Sequence, residues 1–436
     1  MALREFDAPQ LSRRGLLRGS AYLAAGGVLA GLPFGRALLA HDVSESWPNV
    51  ARAVDGFVND GKVANIFVTL GWKGQDPHSV GRGTLSFNSH SEAGLDSLYR
   101  IYSMTKPITG MAVMMLIEDG KLRLDQPLAE VLPAFAKMRV LTAPDAPLDS
   151  TVSAERPITI RQLLTHTAGL GYDINSKGAL LQAYRAAGIT SGQVSRVPIP
   201  GLPQVASAPG LEAFSDRLAK LPLAYQPGTR WSYSVSIDLL GRVIEVASGQ
   251  SFAEFLQQRM FDPCGMTSTY WQVPASETKR LTDNYGILAG MPMPVDRAGA
   301  SIYLDKPPLI WGGSGLVCSP RDYDRFLKML LGYGMIDGKR VMTEAIVKLG
   351  TSNILPEGVT TKGTWLAGEG FGAGGRANGE NYGWSGAAGT IAAVDFKRGL
   401  RAGLFTQYMP SEAYAMRDEF LTALEKDLSG MRRAAA

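Results

Sequence analysis

Where an extended segment meets a helical pattern, the chain reads Tyr99-Arg100-Ile101-Tyr102-Ser103-Met104-Thr105-Lys106-Pro107. A serine three residues ahead of a lysine lies on the same face of a helix. Serine attacks poorly until a neighbouring base takes its proton. A lysine enclosed away from water, or near other positive groups, loses enough basicity to be that base. A helix start adds free N–H groups and the positive end of the dipole, both of which favour negative charge at Ser103. The same tetrapeptide also fits a serine that caps the helix and a lysine that faces solvent. The pair alone leaves both readings open.

Other nucleophile patterns are poorly supplied. No strict Gly-x-Ser-x-Gly elbow occurs, since "GWSGA" and "GGSGL" each lack the final glycine. Of four histidines, His41, His78 and His90 fall at the leader edge or in polar, glycine-rich chain. His166, in "LLTHTAGL", has a structured setting and reads as a histidine that bonds local backbone. A Ser-His-Asp triad is therefore poorly supported. Two further stretches do carry chemistry: "YQPGTRWSYSVSIDLLGRVIE" places Tyr233 just before a helix, and "YGWSGAAGTIAAVD" places Trp384-Ser385-Gly386 just before a late strand.

With "YSMTK", these stretches resemble the serine β-lactamase and penicillin-binding superfamily, and within it class C β-lactamases and family VIII carboxylesterases. "EDGKLRLDQPL", "ITIRQLLTHTAGL" and "GGSGLVCSPRDYDRF" support the resemblance in order, and it runs from about Val63 to the end. Carried over, it implies Ser103 as nucleophile, Lys106 as its lysine, and Tyr233 as the first residue of the Tyr-x-Asn motif, sharing proton transfer with the lysine. Trp384-Ser385-Gly386 matches the Lys-Thr-Gly motif on the strand that lines the cleft. The N–H groups of Ser103 and Ala387 would form the oxyanion hole. The resemblance implies no metal or organic cofactor.

Three departures from that pattern bear on substrate. Trp384 replaces the motif's lysine, Ser385 its threonine, and Val235 the asparagine of Tyr-x-Asn. The lost lysine and asparagine are polar contacts for an anionic, peptide-like substrate. Their replacements favour a neutral, partly apolar acyl or alkoxy group, with Trp384 as an apolar wall. Met291, Met293 and Tyr303, in a Gly- and Pro-rich stretch, are further candidates for an acyl pocket, and a loop packed on the core is equally compatible.

The elements that must hold these residues read as an α/β (α+β) chain. Val63–Trp72 is a β-rich run between glycines, and Thr390–Asp395 and Arg401–Gln407 flank a turn, "FKRG". Apolar residues recur at helical spacing from Thr105 to Glu118, with Pro107 in the first turn and Gly120 after the end. Ile237–Ala247 and Phe252–Met260 read as helices, and Glu412–Leu428 as a closing helix. Strands at both ends imply one antiparallel sheet built from both chain ends and covered by the terminal helices. The sheet lobe would comprise about 41–105 and 310–436, with a mostly helical lobe at about 106–309 inserted between them. A cleft between two such lobes suits a site.

The charge balance excludes little else. Formal net charge is +4, but residues 1–40 hold five basic and two acidic residues, so the remainder is near neutral. That gives no electrostatic case for nucleic acid. Arg13-Arg14, an apolar run from Ala21 to Leu32 and a small residue at Ala40 resemble a twin-arginine signal peptide over residues 1–40, which implies a periplasmic or secreted protein. A disordered leader on a cytoplasmic protein is the alternative. The apolar run is too short to span a membrane, and no other candidate follows. Cys264 and Cys318 form neither a disulfide framework nor a metal-ligand spacing.

The expected activity is hydrolysis of small-molecule esters with short to medium acyl chains, through an acyl-enzyme on Ser103. The rivals are a β-lactamase, a D-amino-acid peptidase or amidase, an acyltransferase of the same fold, and a non-catalytic ligand-binding module.

Overall fold

A computed structural model describes residues 43–199 and 204–435. The leader expected over residues 1–40 lies outside the described residues. Six strands form an antiparallel sheet in the order Arg376–Ala377, Asn381–Ser385, Ile391–Asp395, Leu400–Phe405, Asn65–Trp72, His78–Gly83. The join between the two chain ends is the register Phe67↔Phe405 to Trp72↔Leu400. The sheet expected from the two β-rich ends is therefore present, and Asn65–Trp72 is one of its central strands.

Period-2 alternation assigns the faces of that strand. Ile66, Val68 and Leu70 point to one side, where Val50, Val54 and Phe57 of the helix Pro48–Asn59 and Phe420 and Leu424 of the helix Met416–Ala435 cover them. Phe67 points to the other side and joins the main core, together with Phe405 and the helix Pro320–Leu331. Both faces are buried, so the strand reads as a nearly continuous apolar run.

The helix Thr105–Glu118 has the bounds its periodicity implied, but it is buried all round. Every residue from Thr105 to Leu116 is buried. Such a helix must lie inside the molecule. Its neighbours include the helix Ser236–Ser248 and the segment before the late strands. A Cβ on Gly110 would collide with the Ala373 carbonyl, so this glycine lets the 373–374 backbone lie directly on the helix.

Two parts differ from the sequence reading. The Gly-, Pro- and Met-rich stretch 286–308, read as cleft border or loop, begins within a hairpin of Asn284–Leu288 and Met291–Asp296, with Ala289 and Gly290 both at positive φ in the turn. Alternation fits the strand Met291–Asp296, whose Met291 and Met293 are exposed, but Ala-Gly is a weaker turn signal than Asn-Gly. The helix begun at Phe252 gives way after Leu256 to a wider turn, Gln257–Phe261.

Alanine in place of glycine inside a helix ordinarily gains about 1 kcal/mol. Gly110→Ala is expected to do the opposite, losing roughly 1–3 kcal/mol to overpacking against Ala373. Urea denaturation of the two proteins measures the sign, and a stabilised variant contradicts this packing.

Candidate active site

The segment that carries Ser103 is fixed before the helix begins. Arg100 is wholly buried. Its Nε donates to Asp296 at 2.7 Å and its Nη1 to the Thr282 carbonyl at 2.6 Å. The side chain of Gln407, just past the last strand of the main sheet, accepts from the N–H of Arg100 and donates to its carbonyl, each at 3.1 Å. Tyr102 then takes φ +40°, and its hydroxyl accepts from Asn284 at 3.1 Å. A bulky residue in the left-handed region is strained backbone of the kind found at functional sites. Ser103 lies in the short 3₁₀ turn Tyr102–Met104 that feeds the helix Thr105–Glu118. Its side chain caps neither element, which removes the N-cap reading.

Ser103 Oγ instead meets both expected partners. Lys106 Nζ donates to it at 3.2 Å and Tyr233 Oη at 2.9 Å. Lys106 is wholly buried; its ammonium also donates to the Gly313 carbonyl at 2.8 Å and lies 4.6 Å from the centre of the Tyr233 ring. Ser103, Lys106 and Tyr233, far apart in sequence, thus share one hydrogen-bonded cluster.

Two residues the sequence reading passed over belong to it. Tyr172 lies with its hydroxyl 3.5 Å from Lys106 Nζ, and burial pushes that phenol well above its ordinary range. Asp238, buried in the first turn of the helix Ser236–Ser248, accepts the Gly313 N–H at 2.8 Å. Burial pushes its carboxyl from 3.8 to about 7, against the charge of Lys106 and the Gly313 N–H, which pull it down. Spacing gave no signal for Asp238: it is one of several polar residues in an amphipathic helix, five positions after Tyr233.

The late strand arrives from the other side. A Cβ on Gly386 would collide with the Ile101 carbonyl, so this glycine seats the end of Asn381–Ser385 two residues from Ser103. Ser385 is partly exposed, and Ala387 is exposed in the turn that follows. Trp384 corrects the expectation of an open apolar wall. It is only 5% exposed, packs on Trp365 and Phe371, and its indole N–H donates to Tyr233 Oη at 3.3 Å. Val235 is corrected as well: it is wholly buried, with its N–H on the Gly171 carbonyl at 3.1 Å, and lies beneath the site. Of the candidate pocket residues, Tyr303 is buried against Arg100, and Met291 and Met293 are exposed on the hairpin.

A mixed helical and antiparallel fold with serine, lysine and tyrosine gathered at the sheet edge is that of the β-lactamase-fold serine hydrolases. A family model described as Beta-lactamase matches residues 50–426, and the chain belongs to that family. Over 254 residues it is 36% identical to Protein Rv1367c of Mycobacterium tuberculosis, covering 58% of this chain and 59% of that one, so it spans about three fifths of that relative's length. Over 295 residues it is 30% identical to a lovastatin esterase of Penicillium rubens, covering 66% of this chain and 68% of the esterase. Among solved structures, EstCE1, a hydrolase with promiscuous acyltransferase activity, superposes with a TM-score of 0.70 at 23% identity, covering 88% of this chain and 98% of that one. That superposition speaks to fold.

The Asp238 proton provides a test of the cluster. The folded chain holds it more tightly than the unfolded chain, so its contribution to stability falls as pH rises from about 4 through 7. Asp238→Asn is expected to flatten the decline in denaturation midpoint between pH 5 and pH 8. An unchanged slope contradicts a buried, proton-holding Asp238.

Proposed function

We propose that the protein hydrolyses carboxylic esters of short to medium acyl chains through an acyl-enzyme on Ser103. The observation that carries this reading is the pair of contacts on one oxygen: Lys106 Nζ at 3.2 Å and Tyr233 Oη at 2.9 Å from Ser103 Oγ. Either group, once unprotonated, is in reach of the serine proton. Ser103 Oγ then attacks the acyl carbon, and the carbonyl oxygen takes the negative charge. The N–H groups of Ser103 and Ala387 are the proposed donors to that oxygen, and losing one such donor typically costs about 10²–10³ in rate. The tetrahedral intermediate collapses, the alkoxide leaves with a proton from the Lys106–Tyr233 pair, and a water repeats the sequence to release the acid.

Ester over β-lactam or peptide rests on the third motif. At Trp384 the chain offers an indole N–H to Tyr233 in place of a cation for a substrate carboxylate. The esterase named among the relatives supports the same reading. Acyl transfer to an alcohol, rather than to water, is the second reading, and it uses the same acyl-enzyme. Twin-arginine export to the periplasm or beyond completes the proposal. It rests on the sequence of residues 1–40.

Turnover of p-nitrophenyl butyrate and of a chromogenic cephalosporin, by the wild type and by Ser103→Ala, tests the function. Ester turnover lost in Ser103→Ala, with slow cephalosporin turnover, is the expected result. An ester rate untouched by Ser103→Ala sinks the mechanism, and cephalosporin turnover faster than ester turnover makes the protein a β-lactamase. Trp384→Phe keeps the ring and removes the N–H. A net hydrogen bond of about 1 kcal/mol predicts roughly a fivefold fall in kcat, and wild-type kcat in that variant contradicts the indole's role at Tyr233.

A further inference from the structure

We infer that His166 is the positioning residue of Tyr233, the group that fixes where the phenol oxygen lies relative to Ser103. The inference rests on the proposed role of Tyr233. His166 grips both neighbours of that tyrosine. Its backbone carbonyl accepts the N–H of Ser232 at 2.9 Å, and its ring Nδ1 accepts the N–H of Ser234 at 3.1 Å. The residue between those two anchors is Tyr233, and the two rings lie 4.7 Å apart at 49°. One residue therefore holds the tyrosine backbone on both sides and braces its ring.

The backbone of His166 suits this grip. It follows the short helix Ile160–Leu164 with φ +55°, in the left-handed region, and its carbonyl and imidazole both reach the 232–234 segment. Histidine, asparagine and aspartate enter that region more readily than other side chains. The grip continues into the next element: Ser234 Oγ is 3.0 Å from His166 Nδ1 and 2.7 Å from Ser236 Oγ, at the start of the helix Ser236–Ser248 that carries Asp238.

The contact also sets the charge of the ring. A backbone N–H can only donate, so Nδ1 is the acceptor and the imidazole is neutral, with its hydrogen on Nε2. Nε2 is buried and has no hydrogen-bond partner among the described residues. Burial, and then the nearby charge of Lys106, hold this histidine well below its ordinary range. A neutral ring keeps the acceptor that Ser234 needs and adds no second cation beside Lys106. His166 lies behind the tyrosine and has no contact with Ser103. It acts through Tyr233.

Two variants separate this role from simple packing. In His166→Asn, Oδ1 takes the place of Nδ1 as acceptor and the residue tolerates the left-handed backbone. His166→Leu fills much of the volume with no acceptor. Rates on p-nitrophenyl butyrate are divided by the sites titrated to completion with a fluorophosphonate, so that misfolded protein does not count. A misplacement of about 1 Å costs on the order of 10² in rate. His166→Leu is expected to lose about that much kcat per site with KM changed less than threefold, and His166→Asn to recover at least tenfold of the loss. The inference is overturned by a loss that disappears per titrated site, or by an Asn variant as slow as the Leu variant. Tyr233→Phe, run alongside, tells which claim failed. If it loses rate while His166→Leu does not, the positioning role alone falls. If Tyr233→Phe retains wild-type kcat, the role of the tyrosine falls and this inference with it.

Discussion

The ammonium of Lys106 sits in the middle of the protein with no exposed surface, and the surrounding structure answers that constraint. An unpaired buried cation costs several kcal/mol, so partners must be built for it. The Gly313 carbonyl supplies one at 2.8 Å, Ser103 Oγ another at 3.2 Å, and the face of Tyr233 a third at 4.6 Å. The carbonyl can be there only because the loop is glycine. A Cβ at Gly313 would stand 2.9 Å from both carboxylate oxygens of Asp238, and one at Gly312 would stand 2.6 Å from the Ile237 carbonyl. Asp238 holds the other side of the same peptide segment through the Gly313 N–H. The lysine, the glycine loop and the buried acid therefore form one unit, with Ser103 beside it.

The remaining walls converge largely on backbone groups. Gly386 lets the late strand touch the Ile101 carbonyl, and Gly110 lets the 373–374 segment lie on the helix Thr105–Glu118. Gln407 clasps the peptide groups of Arg100 from the end of the sheet. These contacts join the segment before Ser103, the helix Thr105–Glu118 and the late strands. The site thus inherits its rigidity from the core, as a site that must hold atoms within fractions of an ångström requires.

How much of this was legible follows from what each signal measures. Apolar periodicity records burial, and it placed the strand at Asn65–Trp72 and the helix at Thr105–Glu118 within a residue or two of their bounds. The order of the short motifs placed Ser103, Lys106 and Tyr233, and the structure brings Lys106 Nζ and Tyr233 Oη each within 3.2 Å of Ser103 Oγ. Tertiary contacts leave no such trace. Nothing local marks Asp238 or Tyr172 as neighbours of Lys106, or Asp296 as the partner of Arg100. Val235 and Trp384 show the converse error: a motif position fixes the backbone site but not the direction a replaced side chain takes. Trp384 is large enough to turn into the aromatic cluster of Trp365 and Phe371, where its N–H reaches Tyr233. His166 was read as a residue bonding local backbone. It does so, but the backbone it bonds is 66 to 68 residues away, on either side of the tyrosine.

Trp384 also touches the proposed proton-transfer residue directly. An indole N–H on the tyrosine oxygen is a neutral donor, so position 384 carries no cation yet still supplies a partner for Tyr233. The account depends most directly on Ser103 taking the acyl group. Rapid quench of the protein with p-nitrophenyl butyrate, followed by peptide mass spectrometry, reads that step. The account predicts a butyryl group on the peptide containing Ser103, accumulating before steady state and absent from Ser103→Ala. An acyl group on any other residue, or ester turnover with a burst of nitrophenol and no modified Ser103 peptide, would contradict it.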